Sequence, residues 1–286
     1  MPLDSQALPR LGNTRVTGKE QYYTPKETAD ALVDQVERVL GPLNGRIILE
    51  PAGGTGAFIE AAKARQPLEI LSFDIEPQHP EVRNGNFLTA DLNLKSAVTI
   101  SNPPFGRNNA LSIPFFNKAA LVSDAICFIV PRSWRKWSVT NRLDLNFELV
   151  SDEDLSIDYV NRNGQPISNK SRLATCFQIW RRTENPRSRI RIRDMDIVRK
   201  TSPEAADVSL TVFGYGCGKV KTEFPRNSNT TQMFLKLNHP KALKALKTVD
   251  YSRFHKNTAY TEALSLQEIN YLLNEYIYND PMIERR

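Results

Sequence analysis

Cysteine and histidine are scarce in this sequence of 286 residues, which contains three of each. Cys127, Cys176 and Cys217 lie far apart and form no CxxC pair, so neither a zinc site nor a disulfide framework is expected. Three histidines are too few for a histidine-rich metal site, and we expect no bound metal. This cysteine usage is typical of proteins in the reducing cytosol.

Long apolar runs are absent as well. The first ten residues, MPLDSQALPR, lack the apolar region of a signal peptide, and no apolar run reaches the roughly 20 residues that span a bilayer. We therefore expect a cytoplasmic protein that does not bind membranes. The formal net charge of +6 indicates a polyanionic partner such as a nucleic acid.

Short apolar segments alternate with helical patterns over much of the chain. A helix is expected to begin after Thr24, with Thr24 as its N-cap and Pro25 at its first position. Strands are predicted at 46–51, 68–75, 97–101, 125–130, 147–150 and 174–180, and further helices at 58–64 and 111–121. This alternation implies an α/β fold in which helices cover both faces of a parallel sheet.

Composition divides the chain into three parts. Residues 1–20 show no sustained periodicity and are predicted to form a tail. Residues 21–183 contain the strand and helix alternation. Basic residues crowd the segment that follows, and residues 184–286 are predicted to form a small mixed α/β domain with helices at 240–247 and 265–278.

A glycine-rich turn, Glu-Pro-Ala-Gly-Gly-Thr-Gly, follows the first predicted strand at 50–56. Its glycines let a ligand approach the backbone at the carboxyl edge of the sheet. A dinucleotide fingerprint would need another glycine at the position of Ile59, and the Gly-Lys-Ser/Thr of a P-loop is absent. The next strand ends near Asp74, about 20 residues on, where nucleoside-binding folds carry an acid for the ribose hydroxyls.

The predicted strand at 97–101 is followed by Asn102-Pro-Pro-Phe105. With the glycine turn and Asp74, this tetrapeptide resembles the class I S-adenosylmethionine-dependent methyltransferases that act on the adenine amine in nucleic acid. The resemblance spans roughly residues 19–183. Gln-Tyr-Tyr-Thr-Pro at 21–25 looks like the family's first cofactor motif. The motif order is similar to that of the gamma group of DNA adenine methyltransferases. The resemblance implies a Rossmann-like sheet and S-adenosylmethionine as cofactor.

The same resemblance assigns the cofactor contacts. Thr24 and Pro25 would contact the methionine part of the cofactor, and Asp74 would bind its ribose hydroxyls. Glu50 and the glycine turn would hold its amino-acid end. Asn86 and Phe87 would flank its adenine; the family commonly has Asp in place of Asn86, whose amide can also hydrogen-bond a base edge. The complete expected set is Tyr23, Thr24, Pro25, Glu50, Pro51, Ala52, Gly53, Gly54, Gly56, Phe58, Asp74, Ile75, Asn86, Phe87 and Asn102.

The Asn-Pro-Pro-Phe residues suit an amine whose lone pair is delocalised into a ring. Two acceptors around the nitrogen, the Asn102 side-chain oxygen and the Pro103 carbonyl, would draw its hydrogens out of plane. Pro103 and Pro104 fix the backbone and remove competing N–H donors. Phe105 offers a stacking face, worth about 1–3 kcal/mol per base. Catalysis would then rest on positioning, after the base has left a duplex stack.

Several residues are candidates for contacting the substrate. Trp134 follows a predicted buried strand and would either stack a base or lie in the core. Tyr159 precedes the last predicted strand and would clamp the target base. Arg187, Arg189 and Arg191 alternate, so they would share one face of an extended chain and contact phosphates, or else form a solvated linker. By position, residues 184–286 would be the target-recognition domain.

The expected function is methylation of the adenine N6 amine in DNA. An RNA adenine methyltransferase is the main alternative, since the tetrapeptide does not distinguish the two polymers. A protein-glutamine methyltransferase faces the same chemical problem, but that group usually carries Tyr where this chain has Phe105. The remaining alternative is a nucleic-acid-binding module without catalysis.

Overall fold

The computed structural model describes residues 22–161, 163–167 and 173–286. The predicted tail at 1–20 lies outside them. The described residues group into two compact units. The first contains residues up to 132 and from 142 to 187, and the second contains 133–141 and 188–286. The segment 133–141 thus groups with the C-terminal residues, although the sequence-based division assigned it to the N-terminal domain.

The first unit is built on a seven-stranded sheet. Its strand order is β3-β2-β1-β4-β5-β7-β6, and β1 to β5 pair in parallel while β7 is antiparallel to both of its neighbours. Its described helices and strands are α1 (Lys26–Leu40), β1 (Ile47–Glu50), α2 (Ala57–Lys63), β2 (Glu69–Asp74), β3 (Arg83–Asn84), β4 (Ala97–Ser101), α3 (Ser112–Ala120), β5 (Ser123–Pro131), β6 (Phe147–Leu155) and β7 (Thr175–Arg182).

Apolar runs form the centre of this sheet. All five residues of β4 are buried, and so are eight of the nine in β5, because these strands are covered on both faces. Helix α1 buries one apolar stripe that includes Leu32 and Val36. The prediction of Thr24 as its N-cap is wrong. Pro25 holds that position and has no side-chain group that could cap the helix. Thr24, one residue earlier, is buried.

The alternation of strands and helices predicted a parallel sheet, and β7 is the exception to it. Strands β6 and β7 follow one another in the chain, and the described residues between them contain no helix that could carry a crossover. Because parallel neighbours need such a crossover, these two strands pair antiparallel instead. The sheet is therefore mixed at this edge.

The second unit combines a small antiparallel sheet with helices. The sheet order is β11-β10-β12-β9, and β8 pairs separately with β13. Val208, Leu235 and Leu273 lie in its buried core. Its elements are α4 (Trp137–Thr140), β8 (Ile190–Ile192), β9 (Val198–Lys200), β10 (Val208–Thr211), β11 (Val220–Lys221), β12 (Gln232–Leu237), α5 (Ala242–Thr248), α6 (Ser252–His255), α7 (Leu266–Tyr278) and β13 (Ile283–Arg285).

A buried ion pair fixes the segment 133–141 within the second unit. The Lys136 ammonium lies 2.8 and 2.9 Å from the two carboxylate oxygens of Glu268. Glu268 also completes a capping box with Ser265 at the start of α7. Trp137 packs against Phe254 and Tyr271 at ring-centroid distances of 5.6 Å. Among the described helices, none has both the length and the apolar character needed to cross a membrane.

Candidate active site

The carboxyl ends of the parallel strands lie at one edge of the first unit's sheet, and the predicted motifs follow them. Glu50 ends β1, Asp74 ends β2, and Asn102 comes directly after β4. Since parallel strands present the same ends at the same edge, these side chains belong to one region of the surface. The candidate site is this carboxyl edge.

Hydrogen bonds to the neighbouring strand hold the glycine turn. The Gly53 N–H donates to the Phe73 carbonyl at 2.8 Å, and the Gly54 N–H donates to Asp74 Oδ2 at 2.9 Å. The Gly54 carbonyl accepts from the Gln78 N–H at 2.9 Å. The turn is therefore rigid and tied to the acid that the sequence assigned to the ribose.

Gly54 is one of three positions at which the turn requires glycine, together with Gly53 and Gly56. Its φ is +48°, and a Cβ placed there would lie 2.8 Å from two ring carbons of Tyr23. The Tyr23 ring thus lies against the bare backbone of the turn, and the backbone of Tyr23 forms two hydrogen bonds of 3.1 Å with Val160. The residues at 22–24 and the glycine turn accordingly meet in one place, as the resemblance implied for a cofactor site.

Asp74 is oriented by backbone donors. Besides Gly54, the Glu76 N–H donates to its Oδ1 at 2.9 Å. A carboxylate has about four lone-pair sites, so this one can still accept bonds from two hydroxyl groups. The next residue, Ile75, is half exposed and offers an apolar surface beside the acid.

Glu50 is a buried acid whose Oε2 has no hydrogen-bond partner among the residues that the structure describes. Burial, and secondly the negative charge of Asp74, raise the pKa of Glu50 well above its usual value. An unpaired buried carboxylate is costly, and a cationic donor would relieve that cost. A ligand with an ammonium group fits this position.

Asn102 has one end of its amide fixed and the other unused. Its Nδ2 donates to the Tyr22 carbonyl at 3.1 Å. Its Oδ1 is buried and has no donor among the described residues. The bond to Tyr22 sets which end of the amide is the acceptor, so Oδ1 remains for a hydrogen of a ligand.

Three further residues near the carboxyl ends of the strands, or just before α1, carry unpaired oxygens. Ser72 lies near the end of β2, Ser101 is the last residue of β4, and Thr24 precedes α1. The hydroxyl oxygens of all three are buried without a hydrogen-bond partner in the described part of the chain. Sequence reasoning missed both serines and the Tyr22 carbonyl. The serines carried a weak signal, because each is a polar residue near the carboxyl end of a largely apolar strand.

The remaining residues of the tetrapeptide are largely buried. Pro103 and Phe105 are buried, and Pro104 is half-buried. The Phe105 carbonyl accepts from the backbone N–H groups of Leu111 at 3.2 Å and Ser112 at 3.4 Å, which joins the tetrapeptide to the start of α3. The Phe105 ring is 7% exposed, so it does not present a wide stacking face in this structure.

Some expected cofactor residues have packing or capping roles here. The Asn86 side-chain oxygen accepts from the Leu88 N–H at 3.0 Å and caps a short 3-10 helix. The Phe87 ring is buried between Phe73 and Phe115, at centroid distances of 6.1 and 5.3 Å. Phe58 and Pro51 are buried as well, whereas Ala52 is half-buried in the turn and Gly56 is the N-cap residue of α2.

The expected substrate residues are divided between the two units, and some of them are buried. Trp134 is 0% exposed. The sequence allowed it either to stack a base or to lie in the core, and in the structure it lies in the core. Tyr159 is buried with its ring 5.8 Å from that of Tyr22. Arg187 belongs to the first unit, where its guanidinium donates to the carbonyls of Phe147 at 2.9 Å and Leu143 at 3.2 Å.

Arg189 and Arg191 belong to the second unit and are exposed. Arg189 Nε donates to the Asn141 carbonyl at 3.3 Å. Arg191 lies in β8, opposite Glu284 of β13. The sequence interpretation of three equivalent arginines therefore needs correction, because Arg187 is engaged in packing against a strand of the sheet.

One group of potential metal ligands is present in the described residues. Ligand atoms of Glu60, His79 and Glu81 lie within 4.8 Å of one another. The Lys63 ammonium forms ion pairs with both glutamates, which are exposed. A cation of the protein itself thus already pairs with both carboxylates of this cluster and offsets part of their charge.

The strand order and the antiparallel β7 define the fold of the class I S-adenosylmethionine-dependent methyltransferases, as the sequence predicted. No protein-family model and no curated protein matches the chain. Similar solved structures include a "putative RNA methyltransferase PH1948 from Pyrococcus horikoshii", which is 19% identical over 62% of this chain and 94% of that chain, with a TM-score of 0.48.

Two others are the 23S rRNA methyltransferase ErmE and TrmN from Thermus thermophilus. ErmE is 17% identical over 58% of this chain and 71% of its own, with a TM-score of 0.40. TrmN is 15% identical over 55% of this chain and 48% of its own, with the same TM-score of 0.40. Likenesses this distant carry no information about the substrate of this chain.

Proposed function

We propose that this chain binds S-adenosylmethionine and methylates the N6 amine of adenine in DNA. The observation that carries the proposal is the Asn102 amide, whose nitrogen is bound to Tyr22 and whose buried oxygen lacks a donor. A buried acceptor without a donor is rare in folded proteins and calls for an explanation. An N–H group of a substrate amine provides the missing donor.

Cofactor binding is supported by three features of the carboxyl edge. Glu50 would accept from the ammonium of the methionine part, which would stabilise the ionised form of its carboxyl. Asp74 would accept from the ribose hydroxyls while it keeps its bonds to the turn. Gly54 leaves the backbone bare, so a ligand can approach it closely. When bound, the sulfonium group supplies the methyl to be transferred.

The amine is activated by two acceptors. Asn102 Oδ1 and the Pro103 carbonyl would each accept one hydrogen of the amine, which would draw the hydrogens out of the ring plane and localise the lone pair on the nitrogen. The nitrogen would then be the nucleophile that takes the methyl supplied by the bound cofactor, and one of its N–H protons would pass to solvent. Positioning of the two reactants provides most of the acceleration.

DNA is the proposed polymer because the motif order is similar to that of the gamma group of DNA adenine methyltransferases. The net charge of +6 supports a polyanionic substrate. RNA is the second candidate, because the Asn102 and Pro103 acceptors contact only the base amine, which both polymers contain. The second unit, with exposed Arg189 and Arg191, would contact the phosphates.

Nucleoside mass spectrometry tests the proposal. The protein is incubated with isotope-labelled S-adenosylmethionine and, separately, with duplex DNA, single-stranded DNA, total RNA and a protein pool. We expect labelled N6-methyldeoxyadenosine, and none with Asn102→Ala. Label in RNA adenosine alone would replace DNA by RNA. Label in glutamine of proteins, or no label in any pool, would overturn the proposal.

A further inference from the structure

A cleft of about 330 Å³ opens on the second unit, at the hairpin that connects β10 to β11. Phe213, Tyr215, Lys219, Lys221 and Gln232 are among the residues that line it. Its volume lies at the lower end of the roughly 300–1,000 Å³ typical of ligand sites, which suits a single nucleotide. The proposed methyl-transfer chemistry uses none of these residues.

Tyr215 is fully exposed at the tip of this hairpin, with a relative accessibility of 105%, and Phe213 is 49% exposed. Large aromatic side chains are normally at least partly buried, because each removes considerable apolar area from water. The exposure of these two has no packing explanation within the unit. It leaves two aromatic faces free for a ligand.

The hairpin that carries Tyr215 is rigid. The Gly218 N–H donates to the Thr211 carbonyl at 2.7 Å, and the Thr211 N–H donates to the Lys219 carbonyl at 2.9 Å. The Gly214 N–H donates to the Glu262 carbonyl at 2.9 Å. The aromatic face is thus presented by an ordered turn, so little conformational entropy is lost when a ligand stacks on it.

The charges around the cleft are positive. None of the side chains that line it is acidic. Among the described residues, neither Lys219 nor Lys221 has an ion-pair partner, so both ammonium groups are available to an anion. Gln232 is held beside them by bonds to the hydroxyl groups of Ser209 at 2.7 Å and Thr211 at 3.1 Å. Its amide gives the cleft a fixed polar group.

We propose that this cleft holds an unpaired nucleotide of the DNA substrate. Tyr215 and Phe213 would stack the base, and Lys219 and Lys221 would contact the adjacent phosphates. Aromatic faces beside a basic groove are how proteins bind single strands without strict sequence preference. The inference rests on the proposed function for its choice of DNA. It adds a strand-holding site that is separate in sequence from the methyl-transfer motifs.

Binding of labelled oligo(dT), followed by fluorescence anisotropy, tests the stacking role. The oligonucleotide contains no adenine, so its binding does not depend on the methyl-transfer site. We expect Tyr215→Ala to weaken binding by roughly 5- to 150-fold, the range that base stacking on one aromatic side chain provides. Tyr215→Phe should bind like the wild type, because it keeps the ring. Tyr276→Ala removes a tyrosine that is 38% exposed on α7 and serves as the matched control.

The salt dependence tests the lysines. For single strands, log K falls with log salt, and each lost phosphate contact reduces the magnitude of this negative slope by about 0.7. The double variant Lys219→Ala/Lys221→Ala should therefore reduce the magnitude of the slope by about 1.4. Lys244→Ala/Lys247→Ala removes two exposed lysines of α5 and should leave the slope nearly unchanged.

The outcomes separate this proposal from the methyltransferase assignment. Oligo(dT) binding that does not change in Tyr215→Ala would overturn the cleft proposal, even if adenine is methylated. Binding of oligo(U) but not oligo(dT) would overturn its assignment to DNA. Conversely, Tyr215-dependent oligo(dT) binding by a protein that methylates none of the adenine-containing DNA would refute the proposed function and leave the strand-holding site intact.

Discussion

The side-chain nitrogen of Asn102 donates to the backbone carbonyl of Tyr22, which lies 80 residues earlier in the sequence, at 3.1 Å. The segment before α1 thus determines how the amide of the proposed catalytic residue is oriented. Tyr23, in the same segment, lies against Gly54 of the glycine turn. The proposed cofactor and amine positions are therefore connected through two consecutive tyrosines.

Asn102→Ala should abolish methyl transfer while cofactor binding is retained. Removal of one preorganised hydrogen-bonding group typically lowers turnover by about 10²- to 10³-fold. Single-turnover methyl transfer and calorimetry with S-adenosylmethionine measure the two effects separately. Asn44→Ala, which removes an exposed asparagine from the other end of β1, is the control and should retain both activities. Turnover by Asn102→Ala at the wild-type rate would disprove the acceptor role.

The fold was largely predictable because its central strands are continuous apolar runs. Strands β4 and β5 are bounded in the sequence by turn residues, and their predicted limits differ from the observed ones by no more than two residues. The direction of β7 was not predictable in this way, because an apolar strand has the same composition in either direction. The partners of the strand at 190–192 also could not be inferred, since β13 lies about 90 residues further along the chain.

The positions of the glycine turn, Asp74 and Asn102 at one edge of the sheet were predictable for a similar reason, since each follows a recognisable strand. Long-range contacts were not. The bond between Asn102 and Tyr22 joins a side chain to a backbone carbonyl, and a carbonyl has no signature in the sequence. The ion pair between Lys136 and Glu268 joins side chains 132 residues apart. Local composition does not reveal such pairs.

Gly54→Ala should impair cofactor binding much more than Gly45→Ala. Both positions have positive φ, +48° and +71°, so both substitutions incur backbone strain of about 1–2 kcal/mol. Only at Gly54 does the added Cβ meet another group, the Tyr23 ring at 2.8 Å, whereas nothing lies within 4 Å at Gly45. Calorimetry with the cofactor on both variants separates close approach from strain. Equal losses of affinity would show that the contact with Tyr23 is unimportant.

Glu50→Gln should stabilise the protein without ligand and weaken its binding of S-adenosylmethionine. The raised pKa means that folded Glu50 keeps a proton that the unfolded chain releases above about pH 4.5. The contribution of Glu50 to stability therefore falls as the pH rises from about 4.5 towards the raised pKa of the folded state. Thermal unfolding should show the variant ahead of the wild type at pH 7, with a difference that shrinks towards pH 4.5.

The cofactor reverses the order, because its ammonium supplies the partner that the Glu50 carboxylate lacks. Loss of a charged hydrogen bond should raise the dissociation constant of Glu50→Gln by about 10- to 100-fold. Asp152→Asn changes a carboxylate of β6 and serves as the comparison for nonspecific charge effects. A variant less stable than the wild type at neutral pH, or with unchanged affinity, would contradict the assigned role of Glu50.

Lys136→Met should destabilise the second unit by about 3–5 kcal/mol, because it leaves the buried Glu268 carboxylate unpaired. The two side chains are 17% and 3% exposed. The matched control is Lys236→Met, which breaks an exposed pair with Asp207 and should cost about 0–1 kcal/mol. Urea unfolding of the whole protein measures both. Similar effects of the two substitutions would mean that burial does not govern the energy of the Lys136 pair.

Of the three arginines that follow the first sheet, Arg189 and Arg191 should contribute to DNA binding, whereas Arg187 should contribute to stability. Arg189 and Arg191 are exposed on the second unit. Arg189→Ala/Arg191→Ala should therefore make the salt dependence of duplex DNA binding weaker. The magnitude of the slope of log K against log salt should fall by about 1.8, at about 0.9 for each phosphate contact. Arg187 is different, because its guanidinium binds two backbone carbonyls and lies 5.5 Å from the Trp180 ring centroid. Arg187→Ala should therefore reduce the free energy of unfolding and leave the slope unchanged. A weaker salt dependence in Arg187→Ala, with the free energy of unfolding unaltered, would show that Arg187 contacts phosphates after all.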